Sequence, residues 1–379
     1  MKGTAPEKWI KDVSADDRTL DIALGTLQSR LSAVLHYLPL AAEKADKDPD
    51  YVHELRVWTR RAGAALRLYE DLMPRRRLSW FKKQLRRVRR SANDARDLDV
   101  LIQRLEKNRQ PGRHEKRWLE EARAERSDAQ KAIVAVQDRL GRDDRLARRI
   151  DKLLKRIRRR EEGRKGVAAL RFRDWARERL HPLVEQFFAA VPTDRMDEAA
   201  LHQFRIRGKE LRYALELLAG AFPARLRTTI YPVIEGLQNH LGVLEDLATS
   251  RDRLQQKTCD ARAAVPWRRL LAKEEAKLEQ TRKDFWAKYT RGFLRRLRDN
   301  FQAVLTGLSF EGERCPLLRR EIVPPRPSEF VKEPTAPPLV FAQIKGKNGT
   351  SFPRRTGRGR RGRENSLQCK ATEKKRRRL

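Results

Sequence analysis

The sequence predicts an all-α fold: two four-helix bundles related by pseudo-twofold symmetry, followed by a disordered basic C-terminal tail. Three observations lead there. Helical periodicity and helix-forming residues run nearly unbroken from about Asp16 to Leu305. No stretch alternates as a strand, and Val and Ile are sparse. Finally, two stretches repeat one pattern. Residues 53–68 read HELRVWTRRAGAALRL and residues 202–217 read HQFRIRGKELRYALEL. Aligned without gaps, His53 meets His202, Arg56 meets Arg205 and Arg60 meets Lys209. The apolar pairs Leu55/Phe204, Val57/Ile206, Leu66/Leu215 and Leu68/Leu217 also coincide. A long repeat is one supersecondary unit used twice.

The elements follow from punctuation and period. Residues 1–15 are expected to be flexible. Helices are expected over roughly 18–44, 50–72, 77–107, 113–162, 166–190, 197–220, 225–256 and 265–306, with a break near Gly141. Asp48-Pro49 supplies an N-cap and then a proline at the first helical position. Met73-Pro74, Gln110-Pro111-Gly112, Val191-Pro192 and Phe222-Pro223 separate periodic runs, and Gly307 stops the last helix. The helical region is thus 16–310, its first half about 16–162 and its second about 166–306. Residues 311–340 form a Pro-rich linker. Residues 341–379 carry Gly, Ser, Arg and Lys with almost no large apolar groups. Such a tail cannot bury enough surface to offset the entropy of ordering, so disorder is expected.

Charge narrows the partner. The 379 residues hold 88 Lys plus Arg against 52 Asp plus Glu, a net +36, which points to a polyanion: nucleic acid, an anionic membrane or a polyphosphate. Cys259, Cys315 and Cys369 are too far apart for a disulfide framework or a metal site. No apolar run reaches the roughly 18 residues of a membrane span, and no signal peptide is visible. A soluble cytoplasmic protein is expected.

The repeat segregates its cations. At about 100° per residue, His53, Arg56, Arg60 and Arg67 fall within about 60° of one another. Leu55, Trp58, Ala62, Ala65, Leu66 and Tyr69 cluster opposite as the core stripe. In the second copy His202, Arg205, Lys209 and Arg212 share one stripe, with Phe204, Leu211, Ala214, Leu215 and Leu218 on the other side. Each stripe is a ladder of like charge that repels itself, so either an anion or acidic side chains of neighbouring helices must relieve it. Lys82, Arg86, Arg89, Asn93 and Arg96 form a further basic face with Arg90 at its edge, ending in Arg96-Asp-Leu-Asp99; its counterpart runs to Glu245-Asp246-Leu247. These acidic residues are expected to orient arginines rather than to act as catalysts.

His53 and His202, near helix starts, would suit phosphate donation or a structural bond; as metal ligands they lack partners at ligand spacing. The remaining histidines show no constellation, and the seven Trp are scattered as core residues rather than as a base-stacking platform. No P-loop, HExxH or GxSxG is present, so neither catalyst, cofactor nor metal is expected.

These residues carry a resemblance. HxxRVxxRR with a later RDLDVL resembles the first half of a CHAD domain, the conserved histidine α-helical domain. HxxRIRxKxLRYALE followed by LQxxLGxLxD resembles its second half, and the likeness spans about 15–305. Ala62-Gly63 and Ala92-Asn93 depart from the family pattern. The resemblance implies the two-bundle fold and a basic surface that binds inorganic polyphosphate. The corresponding site residues are His53, Arg56, Arg60, Arg61, Lys82, Arg86, Arg90, His202, Arg205, Arg207, Lys209 and Arg212. The family often accompanies a triphosphate tunnel domain, whose Glu-x-Glu-x-Lys signature is absent; Glu311-Gly-Glu313 lacks the lysine. Polyphosphate or storage granules or the nucleoid are the expected locations. Two rivals stand beside this reading. One is a sequence-independent nucleic-acid binder using the tail and the Arg-rich stretches 82–90 and 155–160; the other is a granule scaffold.

Overall fold

A computed structural model of the chain describes residues 6–107, 112–162, 170–258 and 264–306, and all of its regular structure is helical. The linker 311–340 and the tail 341–379 lie outside the described residues, as do the three cysteines. The first half contributes α1 (Thr19–Glu43), α2 (Asp50–Leu68), α3 (Arg75–Ser91), α4 (Asn93–Glu106), α5 (Arg113–Gly141) and α6 (Arg145–Glu161). The second contributes α7 (Phe172–Ala189), α8 (Glu198–Leu218), α9 (Tyr231–Thr258), α10 (Ala264–Lys288) and α11 (Arg291–Thr306). No helix among the described residues is long and apolar enough to cross a membrane.

Helix starts follow their caps. Asp48 accepts the Asp50 N–H at 2.9 Å and opens α2. Asp197 accepts from the Ala200 N–H at 2.9 Å and opens α8. Three boundaries differ from the sequence reading. The helix expected over 77–107 is two, divided at Ala92. The one expected over 265–306 divides at Tyr289-Thr290, where the Thr290 hydroxyl accepts the Phe293 N–H. The one expected over 225–256 begins as a π-helical turn, Leu226–Ile230. The break near Gly141 is present, with Asp143 and Asp144 both left-handed at φ 49° and 52°.

The predicted stripes set the packing. Leu55, Trp58, Ala62, Ala65, Leu66 and Tyr69 are all buried, as are Phe204, Leu211, Ala214, Leu215 and Leu218. One apolar core runs from Leu20 to Leu305 through both halves, rather than as two separate bundle cores. A satellite cluster joins Leu98, Leu101 and Trp118 to Leu254 and Trp267. The starts of the two halves meet: Arg18 and Arg171 form an antiparallel bridge, and the Thr19 and Phe172 N–H groups donate to Leu170 and Asp17.

Residues 6–15, expected to be loose, are packed down. Arg30, fully buried, donates to the Glu7 and Lys8 carbonyls at 2.5 and 2.6 Å. Lys8 pairs with Glu235 at 2.6 Å, and Trp9 packs edge-on against Tyr231. A buried guanidinium needs acceptors, and this strap supplies two carbonyls.

Candidate functional site

The two repeat copies, α2 and α8, pack against each other. Their cationic stripes meet along that contact as a basic seam. Arg56 on α2 is held by the junction of α3 and α4. Its Nη1 donates to the Asn93 carbonyl at 3.0 Å and the Ala92 carbonyl at 3.3 Å, and lies 3.5 Å from Asp97. The Ala92 carbonyl also accepts the Arg96 N–H at 3.2 Å, so Arg56 is a second donor at the start of α4. Arg205 on α8 has the matching relation to α9: its Nη1 is 3.3 Å from Glu245. Both guanidiniums are mostly buried, their side chains 12% and 16% exposed.

The seam's electrostatics record the crowding. Lys209 falls from its ordinary 10.5 to about 6, through burial first and then through Arg60 and Arg205, with Glu245 opposing. His53 falls to about 3, again through burial, then through Arg96, Arg60, Arg56 and Arg212. Arg56 falls to about 10, with burial and Arg60 outweighing Asp97. Burial likewise lowers Arg96 and Arg205. Five cations and His53, from both halves, thus share one field. Two donors there are unspent: Arg96 Nη1 and Arg205 Nε are buried without hydrogen-bond partners.

The other candidates separate from this seam. His202 sits at the exposed rim, its Nδ1 3.2 Å from Glu245. Arg212 borders the seam but is drawn inward, 3.7 Å from Glu216 and 4.0 Å from Glu235. Arg86 and Arg90 are exposed on α3 and connect through Arg89, which stands in the field of Arg60, Arg67, Arg86 and Arg90. Lys82 pairs with Glu70 at 2.7 Å, outside the seam.

Two candidates are corrected. Arg61 is not on a binding surface: it is 7% exposed, and its Nε donates to Glu216 at 2.6 Å. Tyr231 donates to the same carboxylate at 2.7 Å. Arg61 turns inward because it lies 100° around the helix from Arg60. Arg207 lies on the far side of α8, bonded to Gln186 at 3.3 Å and Glu210 at 2.8 Å. Conversely, Arg89 and Arg96 belong to the basic region although outside the candidate set; the α3–α4 helical face was their signal. Asp97 and Glu245 orient the paired arginines, as expected of these acidic stretches.

Chemically, the seam can donate many hydrogen bonds to a polyanion. It lacks a metal set: no group of three or more His, Cys, Asp or Glu among the described residues could hold an ion.

The CHAD domain family model matches residues 25–255. The fold is similar to the crystal structure of the CHAD domain from the plant Ricinus communis, at 22% identity and TM-score 0.53, covering 80% of this chain and 98% of that one. It is also similar to PptA from Streptomyces chartreusis, at 18% identity and TM-score 0.50, covering 72% and 99%. At these identities the likeness is one of fold. No curated protein matches the chain.

Proposed function

The chain belongs to the CHAD domain family, and on that premise we propose that it binds inorganic polyphosphate, without chemistry of its own, along the seam between α2 and α8. One observation carries the reading. Cations of α2, α4 and α8, from both halves, converge in a mostly buried seam: Lys209 is lowered to about 6 and His53 to about 3, through burial first and the neighbouring arginines second, while Arg96 and Arg205 keep buried N–H donors unspent. Folding does not require such a cluster, and like charges gathered this way cost stability. An anion threaded along the seam relieves the repulsion and occupies the free donors.

A narrow phosphate chain suits half-buried guanidiniums better than a wide duplex does. Each of its units carries charge without bases that would need stacking partners. His53, Arg56, Arg60, Arg96, Arg205 and Lys209 form the contact set, with His202 and Arg212 at the margins and Arg86 and Arg90 extending it across α3. Granules or the nucleoid are the locations consistent with such a ligand.

The test converts Arg56, Arg60, Arg205 and Lys209 together to Ala in the full chain. Long-chain polyphosphate affinity should fall at least a hundredfold, and its salt dependence should flatten because fewer counterions are displaced. A control removes the same number of basic groups from the tail, at Arg354, Arg355, Arg360 and Arg361. Equal losses from both variants would show that net charge alone governs binding and would remove the seam from the account.

A further inference from the structure

A second cationic surface lies on a different helix. α6 reads RLARRIDKLLKRIRRRE. Its apolar side, Leu146, Ile150, Leu153 and Ile157, is buried. On the opposite side Arg145, Arg148, Lys152, Lys155, Arg156 and Arg159 occupy one sector, about 21 Å long at 1.5 Å per residue. All six are exposed, and among the described residues none forms an ion pair. Asp151, also exposed, sits at the sector's edge, and Arg160 beyond the other edge pairs with Glu161 at 3.2 Å.

Two further features belong to this surface. The first turn of α6 has no acidic residue, so Arg145 and Arg148 stand at the positive end of the helix dipole, with Asp144 just before them at the N-cap. That end opens on a concavity of about 650 Å³ lined by Arg139, Arg142, Arg145 and Arg148 together with Asp138 and Asp143. The helix is also held in place: Arg149 stacks over Trp80 of α3, 4.4 Å from the ring centre. None of these residues belongs to the seam.

We propose that the outer face of α6 is a separate docking surface for the phosphate backbone of duplex nucleic acid. The face is one side of a straight helix, so it meets its ligand from one direction only. A flexible phosphate chain would give up its conformational freedom for contacts on a single side. A duplex is already stiff, with phosphates at fixed spacing, and loses far less on docking. No aromatic side chain lies in the sector to stack bases. Lys and Arg contacts to phosphates position a duplex without reading its sequence.

The experiment uses the full chain, a labelled 30-base-pair duplex DNA of mixed sequence, and long-chain polyphosphate. The variant is Arg148→Gln, Lys152→Gln, Lys155→Gln and Arg159→Gln. Duplex affinity should fall at least tenfold at physiological salt, and the slope of log affinity against log salt should shrink by about three to four. Polyphosphate affinity should stay within twofold, since the seam is intact. The positions are exposed, so the melting temperature should hold. If the Gln variant unfolds, Arg148→Lys with Arg159→Lys and Lys152→Gln with Lys155→Gln form a milder pair, of which only the second should lose duplex affinity. Unchanged duplex affinity overturns the proposal. So does a parallel loss of duplex and polyphosphate affinity, which would make α6 an extension of the polyphosphate site.

Discussion

The two halves of this molecule share a helical plan and differ in charge at the same positions. At the constant offset of 149 that joins His53 to His202, Arg96 aligns with Glu245, Arg86 with Glu235, Lys82 with Tyr231 and Arg67 with Glu216. In the first half Arg96, Arg86 and Arg67 add cations around the stripe, while Lys82 is spent on Glu70. In the second half they supply the carboxylates that tie down Arg205, Lys8 and Arg61. The histidines register the difference. His53 lies among arginines and is held neutral; His202 lies beside Glu245 at an exposed rim. Duplication preserved the geometry of a basic ladder, and substitution made one half the donor of free charge and the other its partial neutraliser.

The contact between the halves should be the most sensitive point of the molecule. Glu216 accepts from Arg61 and Tyr231 and lies near Arg212. Glu216→Ala strands a buried guanidinium and should lower unfolding free energy by about 3–5 kcal/mol in urea titrations. Arg61→Met with Glu216→Leu should recover most of it, because the desolvation penalty disappears with the pair. Single-site loss without double-variant recovery would mean that the ion pair is not the cause.

A smaller effect is expected where the copies differ in bulk. Gly208 aligns with Thr59. A Cβ on Gly208 would stand 1.8 Å from Gln238 Nε2 and 3.3 Å from the Phe187 ring. Gly208→Ala should therefore cost about 1–3 kcal/mol through overpacking. Thr59→Ala loses one buried hydroxyl bond to Leu55, at a cost of about 1 kcal/mol. A thermally neutral Gly208→Ala would show that Gln238 swings aside.

Exchanging charge between equivalent positions tests the donor–neutraliser distinction directly. Arg96→Glu gives the first half the second half's residue. It should weaken polyphosphate binding about tenfold, roughly 1.4 kcal/mol. Glu245→Gln releases Arg205 from its carboxylate and should tighten binding about threefold in the same titration. Opposite signs are the point: two losses would mean that the carboxylate is needed to hold Arg205 in position.

The mildest test is pH. Free Lys209 titrates near 6, and a bound anion raises that value, so the complex holds more protons than the free protein. Polyphosphate binding should strengthen a few-fold as pH falls from 8 to 6, and Lys209→Gln should flatten the profile. Folding stability responds with the opposite sign. The unfolded lysine, near 10.5, binds its proton more tightly than the folded one, so this residue's contribution to stability rises with pH between about 6 and 10.5. A pH slope that survives Lys209→Gln would transfer the effect to another group.

The sequence made the stripes of α2 and α8 legible because a period of 3.6 is local information. The division at Ala92 was not, since neither Gly nor Pro marks it. Arg56 reaches the Ala92 carbonyl from 36 residues away. The division before Arg291 did have a signal, the capping hydroxyl of Thr290. Arg61 resembled its neighbour Arg60 in type and position. Its partner Glu216 lies 155 residues on, and only the tertiary fold could show that one of two adjacent arginines serves the interior. Residues 6–10 read as loose for the same reason: Arg30 and Tyr231, which fasten them, are distant in sequence.

The Arg61–Glu216 pair also carries a rule of assembly. Under the offset of 149, Arg61 corresponds to Glu210 and Glu216 to Arg67. Two copies of the first half brought together in the same way would oppose Arg61 to Arg67, and two copies of the second would oppose Glu210 to Glu216. Either self-pairing buries like charges, whereas the mixed pairing joins opposites. A dimer of either half with its present residues could not use this contact. At this contact the chain therefore behaves as a heterodimer in a single polypeptide, its two halves complementary to each other and not to themselves.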